Sequence, residues 1–183
     1  MFRRITRWLA GLCLCGVLFA SDMPGIWLDV PFVKQVKEGC GAASIAMVMQ
    51  YWAGKQNLDP RSINPSQIQN TLYSKKGHGI YASDVEAYFQ QHGFRTFALR
   101  GESADLKQHL EQGRPLMVAL KPSSGNVSLH YVVVTGLDWE NHLVMVNDPG
   151  RKKLLKVDQA GFEQQWNAAG NWTLLALPES GAH

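Results

Sequence analysis

The sequence predicts an α+β fold, with a buried helix in its first half and an antiparallel sheet formed mainly by its second half. Residues 40–91 contain apolar residues at helical spacing, whereas residues 115–177 contain five short apolar runs separated by turn sequences. Helices that precede a group of strands, rather than alternating with them, are typical of α+β domains. The chain has 183 residues, which suits one such domain.

The first 21 residues have the pattern of a secretory signal peptide. Three arginines lie within the first seven residues, and Leu9–Ala20 is an uncharged, mostly apolar run. This run is shorter than the stretch of about 20 residues that spans a bilayer. We therefore expect residues 22–183 to form an exported domain, periplasmic or secreted, with no stable membrane span after signal removal. The alternative is an uncleaved membrane anchor that extends to Met23.

Composition excludes some classes of partner. The net charge of +3 lies partly in the predicted signal peptide, so the remaining domain is close to neutral. It has no basic stripe with interleaved aromatic residues, and we therefore expect no nucleic-acid partner. The histidines have no mutual spacing that indicates a metal site, and no cofactor is expected. The oligomeric state is left open.

The first half of the exported domain is predicted to be mainly helical. The segment Cys40–Trp52 is apolar throughout and too long for a typical strand, which indicates a buried helix that Gly54 ends. Ser83 followed by Glu86 is the pattern of a capping box. In chain order we predict an extended segment at Trp27–Phe32, helices at Cys40–Trp52, Ser66–Tyr73 (capped by Ser66) and Ser83–Gln91, a strand at Phe94–Leu99 and a helix at Ser103–Gln112.

The second half is predicted to form the sheet. Turn sequences such as Asp148-Pro149-Gly150 separate runs that are rich in β-branched residues. The predicted strands are Pro115–Leu120, Leu129–Gly136, Leu143–Val146, Lys153–Val157 and Trp172–Leu177, and a helix at Asp158–Ala168 separates the last two.

Cys40 is a candidate nucleophile. Because Cys13 and Cys15 lie in the predicted signal peptide, Cys40 would be a lone thiol in an oxidising compartment, where cysteines usually pair. Inert packing is one explanation, and catalysis is the other. Cys40 begins the buried helix, and a helix N-terminus favours the reactive thiolate. Gly41 and Ala42 are small, so we expect a substrate to approach closely.

Gln35 lies on the polar loop before Cys40. Its side-chain amide could donate a hydrogen bond beside the backbone N–H of Cys40, and two such donors form an oxyanion hole. Without Cys40, Gln35 would be read as an ordinary solvated loop residue.

His130 and Asp148 are candidates for the base and its orienting residue. His130 heads a strongly β-branched strand, where a histidine is either structural or a placed base. Asp148 follows the next strand, and a hairpin would bring it back toward His130, where a carboxylate can fix the imidazole tautomer. An Asp before Pro-Gly is also an ordinary turn former. Asn147 points to the opposite face and is the weaker candidate.

The motifs VPFVKQVKEGCGAASIAMVMQYW, LHYVVVTGLD and VNDPG resemble those of the bacteriocin-processing double-glycine peptidases, within the papain-like superfamily. The resemblance spans residues 29–150. It implies a papain-like fold, in which the central helix packs on the C-terminal sheet. It also implies peptide-bond hydrolysis through a thioester, with Gln35 in the oxyanion hole, Cys40 as nucleophile, His130 as base and Asp148 as orienting residue.

Three differences accompany the resemblance. Gly39 stands where an acidic residue is common before the nucleophile, and the spacing from Gln35 to Cys40 is one residue shorter than in papain. The processing peptidases are fused to ABC transporters and act on the cytoplasmic side, whereas this chain is expected to be exported. We therefore expect a peptide or protein substrate whose identity is open. Amide transfer to an amine is an alternative chemistry, and a non-catalytic scaffold module of a secretion or surface-appendage system is an alternative of another class.

Overall fold

The structure is a computed structural model that describes residues 25–122 and 129–179. The predicted signal peptide, residues 1–21, lies outside the described residues, so export remains a prediction. In the described ranges, no helix is long and apolar enough to cross a bilayer.

Helices and strands follow the predicted order, with a short 3-10 turn at Pro60–Ser62 after the first helix. The helices are α1 (Cys40–Lys55), α2 (Pro65–Leu72), α3 (Ala82–Gln91), α4 (Ser103–Glu111) and α5 (Gln159–Ala168). The strands are β1 (Gly25–Trp27), β2 (Phe94–Arg100), β3 (Leu116–Leu120), β4 (His130–Asp138), β5 (Leu143–Asn147), β6 (Leu155–Asp158) and β7 (Trp172–Pro178).

The described strands form one antiparallel sheet in the order β2-β7-β3-β4-β5-β6, and β1 pairs with the end of β4. The strands β4 and β5 form the predicted hairpin, in which Val133 pairs with Asn147. The α+β class predicted from the sequence is confirmed. The sheet is not limited to the second half of the chain, because β1 and β2 also belong to it.

Helices cover both faces of the sheet. Along β4, Tyr131 and Val133 face the core that contains α1, whereas Val132 and Val134 face the core that contains α4 and α5. This alternation is the period of two expected for a strand. Burial of one large apolar side chain contributes about 1.5–3 kcal/mol, so a strand buried on both faces anchors the fold.

The helix α1 is buried over most of its length, as its continuous apolar sequence predicts. Two of its polar side chains donate hydrogen bonds to backbone carbonyl oxygens of the sheet. Ser44 donates a hydrogen bond to the carbonyl oxygen of Tyr131 at 3.2 Å, and Trp52 Nε1 donates to that of Ala176 at 3.0 Å. These bonds fix α1 against β4 and β7. The prediction that Gly54 ends the helix is wrong by one residue, since the helix continues to Lys55.

Two predicted helix caps are wrong. Asn64, not Ser66, caps α2, and its side chain accepts a hydrogen bond from the Ser66 N–H at 2.9 Å. Pro65 occupies the first helical position, which suits a residue without an N–H and places the cap before it. The capping box at Ser83 and Glu86 is absent, because α3 begins at Ala82 and Ser83 already lies inside its first turn.

The predicted extended segment forms a strand only at its start, and β1 begins two residues earlier at Gly25. The Leu28 N–H still donates to the carbonyl oxygen of Thr135 at 2.7 Å, after which the chain leaves the sheet. Pro31 lacks an N–H and therefore cannot continue the ladder. The chain is then free to cross toward the start of α1.

Candidate active site

Cys40 lies at the N-terminus of α1 and is partly exposed. The turn before it is tight, because the Gly39 N–H donates to the carbonyl oxygen of Val36 at 3.0 Å. A Cβ atom at Gly39 would lie 3.0 Å from that same oxygen, which is closer than nearly all real contacts. This turn therefore explains why glycine, rather than an acidic residue, precedes Cys40.

The small residues after Cys40 serve packing. A Cβ atom at Gly41 would lie 3.1 Å from the Cβ of Ile80, and Ala42 is buried. The expectation that these two residues leave room for a substrate is wrong. They allow Ile80 and Tyr131 to approach the start of α1 instead.

The surroundings of Cys40 favour its thiolate. Burial by itself would raise the pKa of the thiol, but hydrogen bonds from His130 and from the backbone N–H groups of Tyr131 and Gly41 outweigh it and lower the pKa below its ordinary value. The contribution of Gly41 is the helix N-terminus effect that the sequence predicts. The amide of Tyr131 was not foreseen, since only the fold brings β4 next to α1.

His130 is the first residue of β4 and connects Cys40 to Asp148. Its Nε2 atom lies 2.8 Å from Asp148 Oδ1. The imidazole is also close enough to the Cys40 thiol for each group to shift the pKa of the other. Because Nε2 is engaged by the carboxylate, Nδ1 is the nitrogen left for the sulfur. Burial lowers the pKa of His130, but Asp148 and Cys40 together raise it to about 9.

Asp148 is buried and follows the last residue of β5. Burial would raise its pKa, but the hydrogen bond with His130, the bond from the Gly150 N–H at 2.9 Å and the charge of Arg151 lower it overall. The carboxylate thus remains ionised next to the imidazole. The hairpin argument from the sequence correctly predicted the position of Asp148, whereas the Gly150 contact depends on the local turn.

Asn147, the neighbouring polar residue, has a structural environment. Its side chain is fully buried, donates to the carbonyl oxygen of Val30 at 3.1 Å and accepts from the Leu154 N–H at 2.9 Å. It therefore joins three segments of backbone and does not contact His130. The sequence-based preference for Asp148 over Asn147 agrees with this arrangement.

Gln35 lies against the turn that contains Asp148. Its backbone N–H donates to the carbonyl oxygen of Pro149 at 3.0 Å, and its Oε1 atom is 3.5 Å from the point where a Gly150 Cβ would be. The side chain forms no hydrogen bond within the described part of the chain, and Oε1 is buried. The structure thus brings Gln35 to the edge of the site without a direct hydrogen bond to Cys40.

A polar cluster before Cys40 was not predicted. Glu38 adopts a left-handed backbone conformation (φ 57°), which is uncommon outside glycine, and its carboxylate accepts a hydrogen bond from the Tyr73 hydroxyl. His78 Nδ1 lies 3.7 Å from the same carboxylate. The hydrogen bond from the Tyr73 hydroxyl is the main cause of the lowered pKa of Glu38. The cluster links the loop of Cys40 to the loop between α2 and α3, a pairing that no local pattern in the sequence signals.

The described residues therefore place a thiol, an imidazole and a carboxylate in one series, with a hydrogen bond between the imidazole and the carboxylate. Such a series can stabilise a thiolate–imidazolium pair, in which the sulfur is nucleophilic and the imidazolium can donate a proton. Among the described residues, no group of three His, Cys, Asp or Glu side chains is arranged to hold a metal ion.

A protein-family model matches most of the chain. The family model described as "Peptidase_C39 like family" matches residues 27–174. No curated protein matches the chain significantly.

Several solved structures share the fold at low sequence identity. A C39-like peptidase from Bacillus anthracis has a TM-score of 0.66 and 21% identity, over 85% of this chain and 98% of that chain. The peptidase domain of Streptococcus ComA, a bifunctional ABC transporter of a quorum-sensing pathway, has a TM-score of 0.61 and 20% identity, over 80% and 97% of the two chains. A double-glycine-motif protease from an AMS/PCAT transporter, solved with its leader peptide, has a TM-score of 0.61 and 22% identity, over 83% and 94%.

Proposed function

The chain belongs to the Peptidase_C39-like family, and from this premise we propose that it is a cysteine peptidase that hydrolyses peptide bonds through a Cys40 thioester. The observation that carries the proposal is the series from Cys40 through His130 to Asp148, in which the imidazole and the carboxylate lie 2.8 Å apart and the imidazole lowers the pKa of the thiol. The non-catalytic alternative is not favoured, because a scaffold module would not need these three groups next to one another.

The first step is acylation of Cys40. The thiolate attacks the carbonyl carbon of the substrate peptide bond, and the negative charge moves to the carbonyl oxygen. The backbone N–H of Cys40 and the side-chain amide of Gln35 are our proposed donors to that oxygen. When the carbon–nitrogen bond breaks, the His130 imidazolium gives its proton to the leaving amine, and the acyl group remains on sulfur as a thioester.

Deacylation completes the reaction. The neutral imidazole of His130 removes a proton from a water molecule, which attacks the thioester carbonyl, and the proton then passes to the departing Cys40 sulfur. Asp148 stays ionised throughout, because its lowered pKa reflects its contact with His130. Its role is to hold Nε2, so that Nδ1 faces the sulfur and the reacting carbonyl.

A peptide substrate is supported by the AMS/PCAT protease, whose structure contains a leader peptide. For this chain we propose a peptide or protein substrate outside the cytoplasm. The N-terminal signal pattern supports export, and the identity of the substrate follows from the experiment below.

The proposal is tested by comparing wild-type protein with Cys40→Ser and Cys40→Ala in cleavage of a peptide library derived from digested proteins, read by mass spectrometry. We expect cleavage by the wild type alone and the same thermal unfolding temperature for all three proteins, since the changes are small and lie at a helix start. Intact-mass measurement after rapid acid quenching should detect a covalent adduct in the wild type. Cleavage that persists at the wild-type rate in Cys40→Ala would contradict the proposal.

A further inference from the structure

A cavity of about 290 Å³ lies beside the candidate active site, between α5 and the four strands β3, β4, β5 and β6. Its walls are mostly apolar. They are formed by side chains from β3, β5, β6 and α5, namely Leu120, Val146, Leu155, Val157 and Phe162. Leu155 and Val157 are only half-buried, so part of their apolar surface faces this space.

The size of the cavity indicates its occupant. Small-molecule sites usually measure about 300–1,000 Å³, and this cavity lies just below that range. It is nevertheless many times the volume of about 30 Å³ that one water molecule occupies in the liquid. A single large apolar side chain suits both its volume and its lining.

The position of the cavity relative to the candidate active site gives its orientation. His130 and Asp148 line the cavity, whereas Cys40 does not, so the cavity lies on the side of the imidazole away from the sulfur. In cysteine peptidase chemistry, the acyl part of the substrate remains on the sulfur and the imidazolium protonates the leaving amine. The segment that follows the scissile bond therefore passes His130 as it leaves Cys40.

We propose that this cavity is a specificity subsite for one apolar side chain, carried by the leaving segment within its first residues after the scissile bond. The inference rests on the proposed peptidase function and adds to it the class of substrate sequence. An aspartate side chain would lose its hydration in this mostly apolar space and would face the buried Asp148 carboxylate, while Arg151, the arginine in the cavity wall, is exposed. Peptides with a leucine, methionine or phenylalanine at the selected position should be cleaved with a kcat/KM at least about 10-fold higher than that of peptides with aspartate. A single methylene group of the substrate already changes kcat/KM by about 10-fold in an apolar pocket.

The test uses Val157, which lines the cavity and takes no part in the proposed chemistry. Val157→Phe narrows the cavity, and Val157→Ala enlarges it. Lys156→Ala is the matched control, because Lys156 is the adjacent, exposed residue of β6 and its side chain alternates to the other face. Each protein is incubated with the peptide library, and cleaved peptides are aligned on the scissile bond. The alkylation rate of Cys40 by iodoacetamide and the thermal unfolding temperature are measured in parallel.

We expect Val157→Phe to lower kcat/KM at least about 10-fold for peptides with a large apolar residue on the leaving side. Cleavage of peptides with glycine there, and Cys40 alkylation, should not change. Val157→Ala should shift the preference toward larger side chains, and Lys156→Ala should match the wild type. If Val157→Phe does not fold, the shift in Val157→Ala decides the question.

Four outcomes overturn the inference. Cleavage without any side-chain preference after the scissile bond contradicts the subsite inference. A preference that neither folded Val157 variant alters also contradicts it. Both outcomes leave the proposed peptidase function intact. A preference that changes only before the scissile bond contradicts the assigned side. If the wild type shows no cleavage that depends on Cys40, when it is compared with Cys40→Ala, the proposed peptidase function is wrong. The subsite inference is then wrong as well.

Discussion

The backbone N–H of Gln35 donates a hydrogen bond to the carbonyl oxygen of Pro149 at 3.0 Å. This bond joins the loop that leads to Cys40 with the turn that follows Asp148, although the two segments are more than 100 residues apart in the chain. Gly150 has no side chain, and a Cβ atom added there would lie within 3.5 Å of both Asp148 Oδ1 and Gln35 Oε1. One turn therefore positions both the proposed oxyanion donor and the carboxylate that holds His130.

Gln35→Ala should lower kcat about 10²- to 10³-fold with little change in KM, because loss of one oxyanion donor affects the transition state more than substrate binding. The fold should be retained, since the bond to Pro149 comes from the backbone. Steady-state kinetics on a peptide found by the library experiment measures the effect. The exposed neighbour Lys34 supplies the control variant Lys34→Ala. An unchanged kcat in Gln35→Ala would remove Gln35 from the mechanism.

Asp148→Asn should lower kcat/KM about 10²- to 10⁴-fold, because an amide can hold His130 in the wrong tautomer and cannot stabilise the imidazolium. The pKa of His130 should fall, since the carboxylate is a main cause of its elevation to about 9. Titration of the His130 ring protons by NMR measures this shift. If the pKa of His130 stays near 9 in Asp148→Asn, the orienting role is wrong.

Asn147→Ala provides a contrast at the adjacent position. It leaves the carbonyl oxygen of Val30 and the N–H of Leu154 without their partner. Each unsatisfied buried group costs about 1–3 kcal/mol, so the two together cost at least about 2 kcal/mol, which lowers the unfolding temperature of a domain of this size by at least about 4–8 °C. Calorimetry should show this loss, with a much smaller loss of activity than in Asp148→Asn. The reverse pattern would mean that Asn147 acts on the imidazole.

Activity should depend on pH as a bell-shaped profile. The thiolate–imidazolium pair requires a pH above the lowered pKa of Cys40 and below the raised pKa of His130, which is about 9. The rate should therefore fall as the pH rises through about 9, and on the acid side it should persist below the ordinary thiol pKa. The profile of kcat/KM from pH 4 to 10 tests this. Its acid and alkaline sides report apparent pKa values of the coupled pair of Cys40 and His130 rather than of either residue alone. A rate that keeps rising above pH 9 would contradict the assignment.

Stability should change with pH in the direction that these shifts require. The pKa of His130 is raised above its ordinary 6.5, so its contribution is complete below about 6.5 and is lost as the pH rises through about 9. The pKa of Asp148 is lowered from 3.8, so its contribution is present above that value and is lost at lower pH. The lowered pKa of Cys40 has the opposite effect between about pH 6.5 and 9, so both losses should appear when thermal unfolding is followed between pH 3 and 10 in Cys40→Ala. The alkaline loss should be smaller when Asp148→Asn is added to that variant.

The mature chain is expected to begin between Ser21 and Gly25. The signal pattern predicts a start between about Ser21 and Ile26, and the pairing of Gly25 with Asp138 in β1 argues for cleavage that leaves β1 complete. Intact-mass measurement of protein isolated from its native host determines the start. A mass that includes residues 1–20 would indicate the membrane-anchor alternative.

Much of the site could be predicted from sequence because its residues lie at the ends of strongly patterned elements. The apolar run after Cys40 indicated a buried helix, and the short connection between two β-branched runs indicated a hairpin that returns Asp148 to His130. In such a hairpin, chain length and strand period leave few possible registers. The order of helices and strands followed from the same local patterns.

The predicted helix starts lie within one residue of those observed, but the caps of α2 and α3 were predicted wrongly, because a cap depends on where the preceding chain is held. Pro65 moved the cap of α2 to Asn64, and the bridge between Ser74 and Gly79 fixes the path of the chain before α3. At each of these helix starts several residues could serve as the cap, and free-energy differences of about 1 kcal/mol decide which of them does.

The sequence alone determined the α+β class, the buried helix and the hairpin, since each depends on periodicity and on short connections. Only the tertiary structure decided which contacts surround the site. The Tyr131 amide reaches Cys40 because β4 packs on α1, Tyr73 reaches Glu38 across a loop, and the apolar cavity beside His130 is formed by four strands and a helix. Such contacts join segments far apart in the chain, and their geometry is fixed by close packing of the core, which no local pattern of residues records.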